Sequence, residues 1–337
     1  MVGRIVTVAA GAVAALSLAG CGGGESGPLT IYSGREEELV APLIAQFEEE
    51  TGTDVEVRYG DSAELAATIA EEGDGSPADV FFAQDPGSLG AVAGEGLLAE
   101  LPAESLDRVP EDFRDPDGRW VGTSGRSRVI AYNTDALSEE GVPDSVFELT
   151  DERWRGKVGV APTNASFQAF VTAIRLQQGE EQTREWLEAL KANGVRFYEK
   201  NTPIVEAVAS GEIDLGLVNH YYLYLVQQEQ PDAPVANHFL PGDDPGALVS
   251  AAGVGVLENA DNRDDAESFV GFLLSDEGQR FYTEQAEEAE YPLVAGIPVK
   301  EGLPPIESLG GPDIDYTALG EELERTLELL NETGYTS

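Results

Sequence analysis

Tyr221 and Tyr222 stand side by side just after the apolar run Leu215 to Val218. Deprotonated phenols are anionic oxygen donors, the kind a small, highly charged cation prefers, and a bound metal drives off their protons. Neighbouring side chains diverge in a strand and point about 100° apart on a helix. The pair can therefore converge on one ion only at a turn or a helix start, and Asn219 and His220, just before it, suit one. On residue type alone Tyr221, Tyr222 and Tyr224 read better as buried aromatics, and both readings stand at this point. Thr163-Asn164-Ala165-Ser166 leads into a helical pattern, where backbone N–H groups can grip an oxyanion or Asn164 can serve as an ordinary cap. Arg126 and Arg128 are two of only 20 basic residues. They could bind an anion or pair with acidic groups at a hinge, the second being the better reading. The only histidines are His220 and His238, and no nucleophile elbow, phosphate-binding loop or His/Glu metal helix occurs. This argues against an enzyme.

The elements that must position these residues alternate in type. Leu29 to Tyr32 reads as a strand, and Glu36 to Thr51 as a helix with Leu39, Val40, Leu43, Ile44 and Phe47 on one face. Val55 to Tyr59 follows as a strand, Ala63 to Glu72 as a helix and Ala78 to Ala83 as a buried strand. The pattern resumes with strands at Val129 to Tyr132 and Val158 to Ala161. Helices at Ser166 to Gln178 and Thr183 to Asn193 and a strand at Leu215 to Val218 continue it. Further helices are predicted at Asp264 to Leu274 and Tyr316 to Leu330. Such β-α-β order implies an α/β fold in two lobes with largely parallel sheets.

The N-terminus predicts where the chain works. Arg4, the apolar stretch Ile5 to Leu18 and the small residues that follow form an export signal too short to span a bilayer comfortably. Leu18-Ala19-Gly20-Cys21 resembles the lipobox of bacterial lipoproteins, which implies cleavage after residue 20 and lipidation of Cys21. Residues 21–27 then form a flexible tether. Cys21 is the only cysteine, so structural disulfides and thiolate chemistry are excluded. Against 20 Lys and Arg stand 63 Asp and Glu, a formal net charge of −43. Such a surface repels nucleic acid and suits a high-salt medium, while 42% hydrophobic residues supply a core.

Five stretches carry a family resemblance: Ile31-Tyr32-Ser33-Gly34-Arg35, Ser76 to Phe82, Ser124 to Val129, Asn219-His220-Tyr221-Tyr222 and Asp244 to Ser250. Together they resemble the ferric-ion-binding proteins of bacterial iron ABC importers, the "bacterial transferrins", from about Leu29 to the C-terminus. The resemblance implies a type II periplasmic-binding fold, with lobe 1 at 28–128 and 249–300 and lobe 2 at 129–248 and 301–337. The chain would cross between them twice, near Arg128 and near Leu248. It also implies Fe(III) as the carried ligand, with Tyr221 and Tyr222 as phenolate ligands. Glu36 is the candidate carboxylate where many members have histidine. Gln84 and Asp85 stand where a glutamate is common, so an anion or water would fill more of the coordination sphere. Asn164, Ser166, Asn201 and Asn219 align with anion-contacting positions, and Arg126 and Arg128 fall at the hinge. The anion could be phosphate, carbonate or citrate. Implied partners are an ABC permease and ATPase serving a lipid-anchored, extracytoplasmic monomer. The competing reading keeps the fold but carries an organic solute or oxyanion, such as a polyamine, a thiamine-like compound or a sugar. A signalling or adhesion lipoprotein is a third.

Overall fold

The computed structural model describes residues 27–242, 244–285, 289–309, 311, 314 and 316–336. The export segment, Cys21 and the tether up to residue 26 lie outside the described residues. The chain begins with β1 (Leu29–Ser33), α1 (Glu37–Thr51), β2 (Val55–Tyr59), α2 (Ser62–Glu72), β3 (Val80–Ala83), α3 (Pro86–Gly94) and α4 (Ala103–Leu106). It continues through β4 (Val121–Asn133), β5 (Val158–Val160), α5 (Ala165–Gln178), α6 (Glu180–Ala192), β6 (Arg196–Phe197), α7 (Asn201–Ala209), β7 (Leu215–Asn219) and α8 (Tyr222–Glu229). It ends with β8 (Val235–Phe239), β9 (Val249–Val256), α9 (Arg263–Leu273), α10 (Asp276–Arg280), β10 (Tyr291–Pro292), α11 (Tyr316–Glu321) and α12 (Leu323–Glu332).

Local chemistry explains the better-defined helices. In α1 the apolar residues Val40, Leu43, Ile44 and Phe47 recur at helical spacing, and all four are buried. Gly52 ends it with φ 75°, a left-handed stop that glycine adopts without strain. Asp61 caps α2 by accepting from the N–H groups of Ala63 and Glu64.

Two sheets meet along one strand. The first has the order β2-β1-β3-β9-β4, parallel among β1, β2 and β3, with β9 antiparallel to β3 and β4 and β10 paired to β4. The second joins β4 to β7 and β8, then β5 and β6. Strand β4 serves both: Val121 to Ser127 pair with β9, and from Arg128 onward the partners are β7 and β8. The Arg128 N–H donates to the Leu248 carbonyl at 2.8 Å, so both connections pass the same point. Each sheet has its own apolar core, one around Phe47, Phe82 and Phe269, the other around Phe167, Phe170 and Trp186.

Beyond the expected crossings near Arg128 and Leu248, lobe bounds that place 301–337 in lobe 2 imply a third passage of the chain. After β10 in the first sheet it returns through α11 to α12, whose Leu329 and Leu330 join the core of the second lobe. Thr326 on α12 hydrogen-bonds Thr172 on α5 at 2.8 Å. On the way, α11 crosses α3 so closely that a Cβ on Gly320 would lie 2.3 Å from the Gly87 carbonyl oxygen. Only glycine permits that approach. The predicted C-terminal helix Tyr316 to Leu330 is accordingly two helices, interrupted at Glu322. Among the described residues no helix is long and apolar enough to cross a membrane.

Candidate metal centre

The tyrosine pair lies on the turn that convergence requires. β7 ends at Asn219, a turn occupies His220 and Tyr221, and α8 begins at Tyr222. The two rings lie 4.4 Å apart at 37°, and the Tyr221 hydroxyl donates to that of Tyr222 at 3.3 Å. Asn219 reaches the Tyr221 oxygen through its side-chain amide at 3.4 Å. Both tyrosines are buried, so the core reading and the ligand reading are compatible: the rings pack while the oxygens meet.

His220 anchors this turn to β4. Its Nδ1 accepts from the Ser127 N–H at 3.2 Å, which leaves the proton on Nε2, 2.6 Å from the Ala289 carbonyl. Burial pushes the imidazole down to about 4, so it is neutral at physiological pH. The ring also lies 4.9 Å from that of Tyr291.

A narrow cleft between the lobes gathers several predicted residues. Gln84, Asp85, Arg126, Arg128, Ser166 and Asn219 line it, with Ala169, Leu248 and Ser250. Arg128 Nη1 donates to Ser166 Oγ and to Asn219 Oδ1, both at 3.1 Å, and Nη2 to the Leu217 carbonyl at 2.9 Å. Burial draws its guanidinium down to about 10, with Tyr222 and Tyr221 opposing the shift; the group stays cationic. Arg126 donates from Nη2 to the Ala251 carbonyl at 3.1 Å, while its Nη1 lies 3.9 Å from Glu290 and has no hydrogen-bond partner among the described residues.

The remaining candidates are placed as follows. Asp85 caps α3, accepting from the Ser88 N–H at 2.8 Å and the Ser88 hydroxyl at 2.9 Å; burial raises its pKa. The Gln84 N–H donates to Ser62 Oγ at 2.9 Å. Asn164 caps α5 and accepts from Ser166 N and Oγ, at 3.0 and 2.5 Å. Asn201, at the start of α7, is fully buried with neither amide atom hydrogen-bonded among the described residues. Glu36 is exposed at the start of α1, outside the lining of the cleft. Among the described residues no three His, Cys, Asp or Glu side chains group as a metal site.

Sequence reasoning missed the ion pair behind the cleft. Arg35 and Glu290 are buried and bonded twice, at 3.1 and 3.0 Å, although 255 residues separate them. Ser124 adds a hydrogen bond to Glu290 at 2.6 Å. No local pattern announces such a pair; the only signal was the scarcity of basic residues.

The profile of bacterial extracellular solute-binding proteins matches residues 75–317. The chain belongs to that family. These are transport proteins that bind solutes, not enzymes, and the two lobes form the type II periplasmic-binding architecture. This solute-binding protein is 36% identical over 313 residues to the major ferric iron-binding protein of Neisseria meningitidis serogroup B, covering 91% of this chain and 92% of the relative. Iron-bound HitA from Pseudomonas aeruginosa superposes with a TM-score of 0.86 at 36% identity, covering 91% of this chain and 99% of that one. The Trichodesmium FutA structure with iron and citrate superposes with a TM-score of 0.78 at 27% identity, covering 92% of this chain and all of the other.

Proposed function

We propose that this protein captures ferric iron outside the cytoplasm and delivers it to an ABC permease and ATPase. The observation that carries the reading is the pair of phenol oxygens of Tyr221 and Tyr222, 3.3 Å apart on a buried turn beside the Arg128 guanidinium. Two phenolates with Glu36 would supply hard, anionic oxygen, and closing of the lobes would bring them together. The names of the relatives, ferric iron-binding and iron-bound, support this ligand over an organic solute.

An accompanying anion completes the proposal. Arg126, Arg128, Ser166 and Asn219 line the cleft, Asn164 and Asn201 stand at the starts of α5 and α7, and Arg128 already donates to two of these side chains. An oxyanion there would satisfy the open Nη1 of Arg126. Phosphate, carbonate and citrate all have the chemistry, and the Trichodesmium structure contains citrate. Residues 28–128 and 249–300 would form the first lobe and 129–248 and 301–337 the second, with Arg126 and Arg128 at the hinge. The mature chain would act as a monomer anchored through lipidated Cys21, and Cys21→Ser should release it from membranes.

Purified protein loaded with Fe(III) should be coloured by tyrosinate-to-iron charge transfer. Tyr221→Phe and Tyr222→Phe should each weaken or shift the band, and the double variant should lose it. Phenylalanine keeps the ring and most of its packing, so melting of the iron-stripped variants should change little. A double variant that binds Fe(III) with unchanged affinity and colour would refute the assignment.

A further inference from the structure

We propose that Glu290 is a positioning residue for the metal site, holding from the hinge the segments that present ligands in both lobes. The proposal rests on the reading of Tyr221, Tyr222 and Glu36 as ligands. Its basis is the short strut Ala289-Glu290-Tyr291, which is gripped from two sides. In the first lobe the Glu290 carboxylate accepts from both terminal nitrogens of Arg35, at 3.1 and 3.0 Å, and from Ser124 at 2.6 Å. Arg35 immediately precedes Glu36, so this fork fixes the residue next to a candidate ligand. In the second lobe His220 donates to the Ala289 carbonyl at 2.6 Å, and His220 immediately precedes Tyr221. Tyr291 locks the strut in place by pairing with Gly125 on β4 and packing against the His220 ring. Arg35, Glu290, Ser124 and His220 are all buried, and a bidentate guanidinium–carboxylate pair has a defined direction. One side chain thus sets the loop of Glu36 relative to the turn of the tyrosines.

Electrostatics give Glu290 a second effect. It stands between Arg35 and Arg126, at 3.0 Å and 3.9 Å, and Arg126 also lines the cleft. Removing the carboxylate charge raises the positive potential around both guanidinium groups, one of which lines the cleft. That disfavours Fe(III) and favours an anion.

The test is Glu290→Gln in the full mature protein, with Fe(III) supplied as ferric nitrilotriacetate and inorganic phosphate varied as the anion. Affinity should fall by roughly 10- to 100-fold, the range typical when a residue that orients a metal ligand is lost. The tyrosinate band should shift, and binding should depend more steeply on phosphate. Glu290→Asp should recover part of the affinity. A residue serving only stability would lower the melting temperature without moving the band or the phosphate dependence, and that result overturns the proposal. Should the glutamine variant fail to fold, Ser124→Ala decides, because it removes the 2.6 Å bond without stranding a charge. A weaker, shifted complex supports the proposal, and unchanged binding overturns it. Wild-type protein that takes up no Fe(III) and shows no tyrosinate band would refute the ferric reading itself, with this assignment. Coloured wild type beside an indistinguishable Glu290→Gln variant refutes this assignment alone.

Discussion

Burial by itself would raise the pKa of Glu290, but Arg35 foremost, then Arg126 and the hydroxyl of Ser124, outweigh it and hold the carboxyl below the ordinary glutamate range. The stabilisation from the ionised form is therefore fully present above the unfolded value of about 4.3 and is lost as pH falls through the lower folded value. In that window the unfolded chain takes the proton first, so acid pulls the equilibrium toward it. Glu290→Gln should be less stable at neutral pH by about 3–5 kcal/mol, the usual cost of breaking a buried ion pair from one side, and its melting temperature should fall less on acidification. Parallel curves for the two proteins from pH 6 to 3 would contradict this. At this scale the sequence was legible where neighbours cooperate and illegible where they do not. Asn164 as a cap and the turn before Tyr221 follow from local chemistry, and both occur. The ligand role proposed for Tyr221 and Tyr222 came from a resemblance, because buried aromatics and phenolate ligands look alike in composition. The Arg35–Glu290 pair had no local signature at all.

Among the elements, α1, α2, α5 and β7 were readable from period and capping, to within a residue or so of their ends. Strand β4 was not. Only Val129 to Tyr132 showed strand character, yet the strand runs from Val121 to Asn133 and is buried throughout. Its first half, Val121-Gly122-Thr123-Ser124-Gly125-Arg126-Ser127, lacks apolar alternation: Val121 joins the core, but Thr123 bonds the Ala252 carbonyl, Ser124 bonds Glu290 and Arg126 lines the cleft. Helices α3, α7 and α8 were also unread; α3 is short and glycine-rich, α7 buries residues around much of its circumference, and α8 is only eight residues long with three of them buried. The crossing of α11 over α3 yields a prediction of its own. Gly320→Leu puts a side chain where a Cβ alone would come 2.3 Å from the Gly87 carbonyl, so the helices must separate. Overpacking of this kind costs about 1–3 kcal/mol. That energy is relieved if the lobes part, so Fe(III) affinity should drop roughly tenfold, equivalent to about 1.4 kcal/mol. Small-angle scattering should show the stripped variant more extended than wild type. Identical profiles and equal affinity would show that α11 yields without moving the lobes.

For the whole molecule, the formal charge of −43 makes ionic strength a stability variable. Between 0.01 M and 1 M salt the Debye length contracts from about 30 Å to about 3 Å, which relieves repulsion that the compact state concentrates. The melting temperature should rise by at least about 3 °C, the shift that ~1 kcal/mol produces in a chain of this size. A flat or falling curve would count against it. The two-lobed α/β architecture was legible from the alternation of elements, whereas the expected return of 301–337 to the second lobe came only with the resemblance, since nothing in a helix's own sequence says which lobe it will cover. The strand order also bears on how the molecule is assembled. β4 to β8 of the second sheet follow one another along the chain, while β3 and β4 of the first must wait for β9, and β4 for β10. A polypeptide emerging N-terminus first thus presents the whole of the second sheet before the first can be completed. The sheet that opens the chain is the last to be finished, and late-arriving strands complete it beside a second sheet that can already have formed.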